Sequence, residues 1–289
     1  MVSTKTTSSL QSGPAGQVPG PRTYGAGYIA PHVSLRKDAI DVETFLSEHQ
    51  VYTPAYLESV QALHRVPKKA HEYIAWYLHV MARTIIGLLT GTWGMGSGVS
   101  ERAMGRRILM FTSVGTAGAL AGVVANHIRC ILWNVNDNGW VRTAAANAEC
   151  VRMHSGIMAG ITWRPRRPPL LARLFHIALQ VTTFFQLLVL SFLLPSVALA
   201  YDAYRAEEQV FNYSQAIDLI DSGRFSHWRS MQPSALASSY YGLQDGCSLR
   251  NVLLRMRADE ASMHYIQSVL ADLPVLSTNP FIIMESKNK

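Results

Sequence analysis

Leu253 to His264 reads LLRMRADEASMH, and the rest of the chain is read outward from this stretch. Leu253, Met256, Glu260 and His264 recur at spacings of three and four residues, so they fall near one face of a helix. The segment is otherwise built for burial, yet it carries the acidic pair Asp259 and Glu260. A carboxylate and an imidazole at i and i+4 can hold a metal, or one another. The plainer alternative pairs Glu260 with a nearby arginine and packs His264 as a core histidine.

This final helix starts near Ser248 and fades at Leu273–Pro274. A loop of Ser, Pro and Gly from Gly223 to Asp245 precedes it, and helical rhythm returns upstream through YRAEEQVFNYSQAIDLIDSG. Leu174 to Tyr201 is a run of 28 residues without a formal charge, long enough to cross a bilayer. Pro195 inside it is expected to kink or end a helix. A helix beginning at Trp140 is stopped by TWRPRRPP, and residues 108–128 form a second charge-free run. In that run Gly115, Gly118, Ala119 and Gly122 are spaced to admit a close helix neighbour. Residues 70–89 read as a helix with a broad apolar face, opened by Pro67, Lys68 and Lys69 and ended at GTWGMGSG. No β-rich region or repeat interrupts the pattern.

The expected architecture is all-α. Four long helices, near 106–130, 140–159, 171–221 and 248–272, form a bundle preceded by shorter helices. The divisions are an extended or disordered arm at 1–35, amino-terminal helices at 36–99, the bundle at 100–275 and a tail at 276–289. The Gly/Pro-rich arm lacks the Arg-rich amphipathic pattern of a cleaved organellar signal and is expected to lie on a partner.

Composition points to a membrane. Apolar residues make up 48% and charged ones 16%, well below the roughly 25% of a soluble domain. The net charge is +7, and no acid lies between Glu149 and Asp202, where Arg152, Arg164, Arg166, Arg167 and Arg173 fall. Arg164, Arg166, Arg167 and Arg173, next to aliphatic residues, suit an anionic lipid surface. Nucleic acid is disfavoured because stacking aromatics are missing there. Three cysteines, an odd number without metal-site spacing, argue for a reducing compartment.

The motifs resemble the alternative oxidases, the monotopic di-iron quinol oxidases of mitochondria. RADEASMH stands where that family has RADEAHH, and AEEQVFNY stands where it has LEEEA followed by a tyrosine. WVRTAAANAECVRMH matches its tryptophan-led helix closing in NERMH, and RRILMFTSVG matches the helix reaching LETVA. The resemblance spans about residues 50–275. It implies a ferritin-like four-helix bundle whose core holds two irons through about four Glu and two His.

Carried over residue by residue, the family's ligand positions fall on Thr112, Val151, His154, Ala206, Glu260 and Met263. Only His154 and Glu260 keep ligand chemistry. The expectation is therefore a degenerate site with no metal and no catalytic residues. His264 and Glu207 are the candidate substitutes for a mononuclear iron site. Arg107 matches the arginine at the mouth of the family's quinol pocket, and Tyr213 its tyrosine near the irons, so both are quinone- or lipid-binding candidates. Asp259 matches the acidic neighbour of the last ligand. By the same resemblance, residues 108–128 and 174–201 are expected to lie in one leaflet rather than cross it.

These expectations combine into a non-catalytic, accessory subunit of a respiratory complex in the inner mitochondrial membrane. Its partners are then other subunits and phospholipid, with a bound lipid such as cardiolipin. The first alternative is a divergent iron-dependent quinol oxidase or mononuclear iron oxidase. The second is a quinone- or lipid-binding protein.

Overall fold

The computed structural model describes residues 52–61, 64–94, 98–163, 168–244 and 246–281. The arm at 1–35 and Arg164, Arg166 and Arg167 lie outside them. The described elements are α1 (Pro54–Ser59), α2 (Ala70–Thr90), α3 (Glu101–Trp133), α4 (Trp140–Trp163), α5 (Leu170–Leu193), α6 (Pro195–Asp221), α7 (Ser226–Ser230), α8 (Ala235–Tyr241) and α9 (Leu249–Ala271). The fold is all-α around a four-helix bundle, with additional amino-terminal helices.

Local chemistry sets the helix ends. The Glu72 carboxylate accepts from the backbone N–H of Lys68 and Lys69, at 2.6 and 3.0 Å, and so satisfies donors that the first turn of α2 leaves open. Gly91 closes that helix at φ 71°, the left-handed conformation that glycine adopts without strain. Ser100 caps α3 by accepting from Ala103 N–H at 3.3 Å. Asp137 accepts from Val141 N–H at 2.6 Å at the start of α4.

The expected helix over 171–221 is two helices. The chain breaks at Leu194 (φ −132°, ψ 65°), and Pro195 begins α6. Proline has no N–H to give the carbonyl four residues back, which here is Ser191. Buried Arg129 of α3 supplies the missing donor, bonding Ser191 O and, at 2.9 Å, Phe192 O. The region from Gly223 to Asp245, expected as a loop, contains the short helices α7 and α8.

The bundle pairs α3 with α4 and α6 with α9. Met104 and Ile108 of α3, Met158 of α4, Tyr213 of α6, and Leu253 and Met256 of α9 meet in its core. Each fully buried aliphatic side chain there contributes on the order of 1.5–3 kcal/mol. Helices α2 and α5 lie outside, against α3 and α6.

Helix α5 has its polarity inverted. Its buried side chains are Thr183 and Ser191, while Leu174, Phe175, Ile177, Val181, Phe185 and Val189 are exposed. Helix α2 likewise exposes Tyr73, Ile74, Tyr77, Met81, Ile85 and Leu88. Helices α2, α3 and α5 are each long and apolar enough to cross a membrane. Within 108–128, Ile108, Leu109, Phe111, Val114 and Ala121 are buried in the protein, while Leu120 and Val124 are exposed.

Candidate metal centre

His154 is fully buried on α4, and both of its ring nitrogens face carboxylates of α9. Nδ1 lies 3.0 Å from Glu260 Oε1, and Nε2 lies 3.1 Å from Asp259 Oδ2. Successive residues on a helix diverge by about 100°, so two adjacent carboxylates seldom reach one group. Here the imidazole lies between them and offers one nitrogen to each.

A third donor comes from His154's own helix. Cys150, one turn earlier, places Sγ 3.7 Å from His154 Nε2. One ligand atom each from Cys150, His154 and Asp259 lies within 4.8 Å of the others, and all three residues are buried. Tyr241 of α8 donates its hydroxyl to Asp259 Oδ2 at 2.9 Å and stands 3.1 Å from His154 Nε2. Tyr52 donates to Asp259 Oδ1 at 2.6 Å.

Glu260 turns its other oxygen to Arg205 of α6. Arg205 Nη1 lies 3.2 Å from Glu260 Oε2, and its Nε donates to Asp202 Oδ1 at 2.6 Å. Asn147 completes this side by donating to Asp202 Oδ2 at 2.8 Å. Burial opposes a charged His154 ring, but the acidic groups around it, Cys150 and Tyr213 with Asp259, hold its pKa well above the usual range. Burial pushes the Cys150 thiol up.

A second group of donors, His71, Glu72 and Asp272, gathers at the start of α2. Its carboxylates are already compensated. Arg65 pairs with Glu72 and, at 3.2 Å, with Asp272, while Lys69 Nζ stands 2.8 Å from Asp272. The buried group around His154 is the stronger metal candidate.

That group suits one divalent ion. A thiolate and a carboxylate together neutralise it, which matters in a site closed to water. Sulfur, imidazole and carboxylate are donors that zinc and iron accept. Glu260 occupies the second nitrogen of His154, the place from which an outer carboxylate orients a metal-bound imidazole.

The residues expected from the sequence are dispersed differently. Thr112, Val151, Ala206 and Met263 are buried, and Ala206 and Met263 pack against Cys150. His264 Nδ1 bonds Ala203 O at 2.8 Å, and Glu207 faces His64 Nδ1 at 2.6 Å, so both are committed elsewhere. Arg107 is buried in an ion pair with Glu208 and donates to Asn212 at 2.8 Å and Thr92 at 3.1 Å. The Tyr213 ring stands edge-on to His154, with centroids 6.3 Å apart. Arg173 is exposed at the start of α5. Sequence reasoning passed over Cys150, although its spacing of four from His154 is the helical signal. Tyr241 carried no such signal, because a separate element delivers it.

The fold is a four-helix bundle in whose core sulfur, nitrogen and oxygen donors converge as a candidate metal site. The alternative oxidase family model matches residues 52–272, and the chain belongs to that family. It is 28% identical to the mitochondrial alternative oxidase of Emericella nidulans, covering 81% of this chain and 68% of that protein. It is 26% identical to the mitochondrial alternative oxidase of Trypanosoma brucei brucei (79% and 69% covered). To the mitochondrial ubiquinol oxidase of Batrachochytrium dendrobatidis it is also 26% identical (77% and 66% covered).

Family membership and the two donor groups correct the expectation of a non-catalytic accessory subunit without metal. Matching only the family's own ligand positions misled that reading. Cys150 and Asp259, each one residue before the ligand positions Val151 and Glu260, bring donors to His154 that the comparison of motifs did not count as ligands.

Proposed function

We propose that the chain is a membrane-attached, iron-dependent oxidase of the alternative oxidase type, built around a single ion. The observation that carries this reading is the convergence of Cys150, His154 and Asp259 in the bundle core. The iron would supply the redox chemistry with dioxygen, and the protein supplies binding, orientation and exclusion of water. Cys150 and Asp259 would contribute the neutralising charge, and His154 would hold the ion with the ring nitrogen that faces them. Glu260 accepts the Nδ1 proton in a hydrogen bond and fixes the ring. Tyr241 and Tyr52 hold Asp259 in place through their hydroxyls.

The electron donor we propose is a membrane quinol, supported by the names of the relatives. Two quinols reduce one dioxygen to two waters. Arg107 and Tyr213 remain the proposed residues on the quinone side. Arg107 acts there through the Glu208 carboxylate, which half-exposed Arg83 also faces at 3.4 Å.

Attachment is proposed to be monotopic, with the apolar faces of α2 and α5 in one leaflet of the inner mitochondrial membrane and phospholipid as the partner. The mitochondrial designation of the relatives supports the organelle. The inverted polarity of α5 supports the lipid contact, because an apolar face of that size is costly in water.

The test is metal content per chain of the protein purified from its native membrane, together with quinol-dependent oxygen uptake. About one iron per chain with uptake supports the reading. Less than about a tenth of an iron, or zinc in its place with no uptake, overturns it.

A further inference from the structure

We propose that Arg205 is a tethered cation that fixes the centre at one metal ion, because its guanidinium fills the place between Asp202 and Glu260 where a second ion would otherwise bind. Its side chain is buried, with Nε 2.6 Å from Asp202 Oδ1 and Nη1 3.2 Å from Glu260 Oε2. Both carboxylates are thus compensated on the side away from His154 by a group that stays charged at any ordinary pH.

The neighbouring helix is built around this guanidinium. Gly115 of α3 faces it, and a Cβ there would stand 2.8 Å from Arg205 Nε and 2.9 Å from its Cδ and Cζ. Only a residue without a side chain leaves this room. Beside the guanidinium lies a cavity of about 20 Å³, lined by Arg205 with Gly118, Ser191, Ala198 and Asp202, enough for one water. Arg205 Nη2, buried and without a hydrogen-bond partner among the described residues, provides a donor for that water. Removing the guanidinium would leave the buried Glu260 carboxylate and the partly buried Asp202 carboxylate, Asn147 beside them and the joined volume of side chain and cavity. That is oxygen-rich ground for a hard divalent cation.

The inference rests on the single-ion reading only for the occupant at Cys150, His154 and Asp259. The experiment compares the full chain in detergent with its Arg205→Met and Asp202→Asn/Arg205→Met variants, each stripped of metal and then titrated with Mn²⁺. Arg205→Met is expected to melt on the order of 10 °C below the parent when stripped, since one partner of a buried charge cluster has gone. With Mn²⁺ it should bind one ion more per chain than the parent and regain its melting temperature. The double variant should recover part of the loss without metal and take up no additional ion.

Equal ion counts in parent and Arg205→Met overturn the proposal, as does coincident melting of the two stripped proteins. An Arg205→Met chain that is insoluble with and without Mn²⁺, beside a folded double variant, overturns it as well. The readout is a difference between variant and parent. A parent that binds no iron therefore defeats the oxidase reading and leaves this comparison standing.

Discussion

Glu260 and His154 meet across the α4–α9 interface with Oε1 3.0 Å from Nδ1, and both side chains are fully buried. The carboxylate orients the ring and leaves Nε2 facing Cys150 and Asp259. Removing its charge without changing its shape isolates that role. Glu260→Gln is expected to weaken metal affinity by roughly 10- to 100-fold. Competition with a chelator of known affinity measures it.

In the proposed site Cys150 would supply half of the charge that neutralises a divalent ion. Cys150→Ala should lose the ion on dialysis under conditions where the parent retains it. A cobalt-substituted parent should show a sulfur-to-metal absorption band that the variant lacks. A band of equal strength in both would remove Cys150 from the ligand set.

The α5 surface makes a separate prediction. Phe175, Val181 and Phe185 are exposed, so their replacement together by serine should change the melting temperature in detergent little. Partition onto anionic phospholipid vesicles should fall by roughly 100-fold or more, because several kcal/mol of apolar burial in lipid is lost. Vesicle flotation reads the outcome.

Glu72 ties acid stability to the start of α2. Burial alone would raise its pKa, but Arg65 and the N–H groups of Lys68 and Lys69 outweigh that and hold it down to about 2, against 4.5 for a free side chain. A carboxyl whose folded pKa is depressed stabilises the fold above the unfolded pKa, and that contribution is lost as pH falls through the folded one. Stability should therefore drop between about pH 4.5 and about pH 2, and Glu72→Gln should flatten this arm of the curve. Melting temperatures across that range decide it.

Leu253 is fully buried where α9 enters the bundle. Leu253→Ala should cost roughly 2–5 kcal/mol by leaving a cavity. Gly115→Ala should cost roughly 1–3 kcal/mol through overpacking against Arg205. Denaturant unfolding of the two variants measures both.

The fold was largely legible in the chain. The spacing of Leu253, Met256, Glu260 and His264, the helix start at Trp140 and the proline at 195 each mark an element or its end, because helical periodicity and backbone restriction are local properties. The site was legible in part. His154 and Glu260 stand out as the surviving motif residues, and they do meet. Apolar runs were a poorer guide. Residues 108–128 and α2 are both apolar, and only packing decides that most of the first is covered by protein while α2 exposes Tyr73, Ile74, Tyr77 and Met81.

The sequence by itself determined an all-helical chain, its family resemblance and the two residues at the heart of its core. Tertiary structure alone decided that Cys150, Asp259 and Tyr241 gather on one nitrogen of His154, and that Arg205 claims the far oxygen of Glu260. The physical reason is that a helix fixes which residues share its own face, whereas the groups it meets are set by how neighbouring helices are rotated and spaced. That rotation is settled by the whole core at once, and no single motif records it.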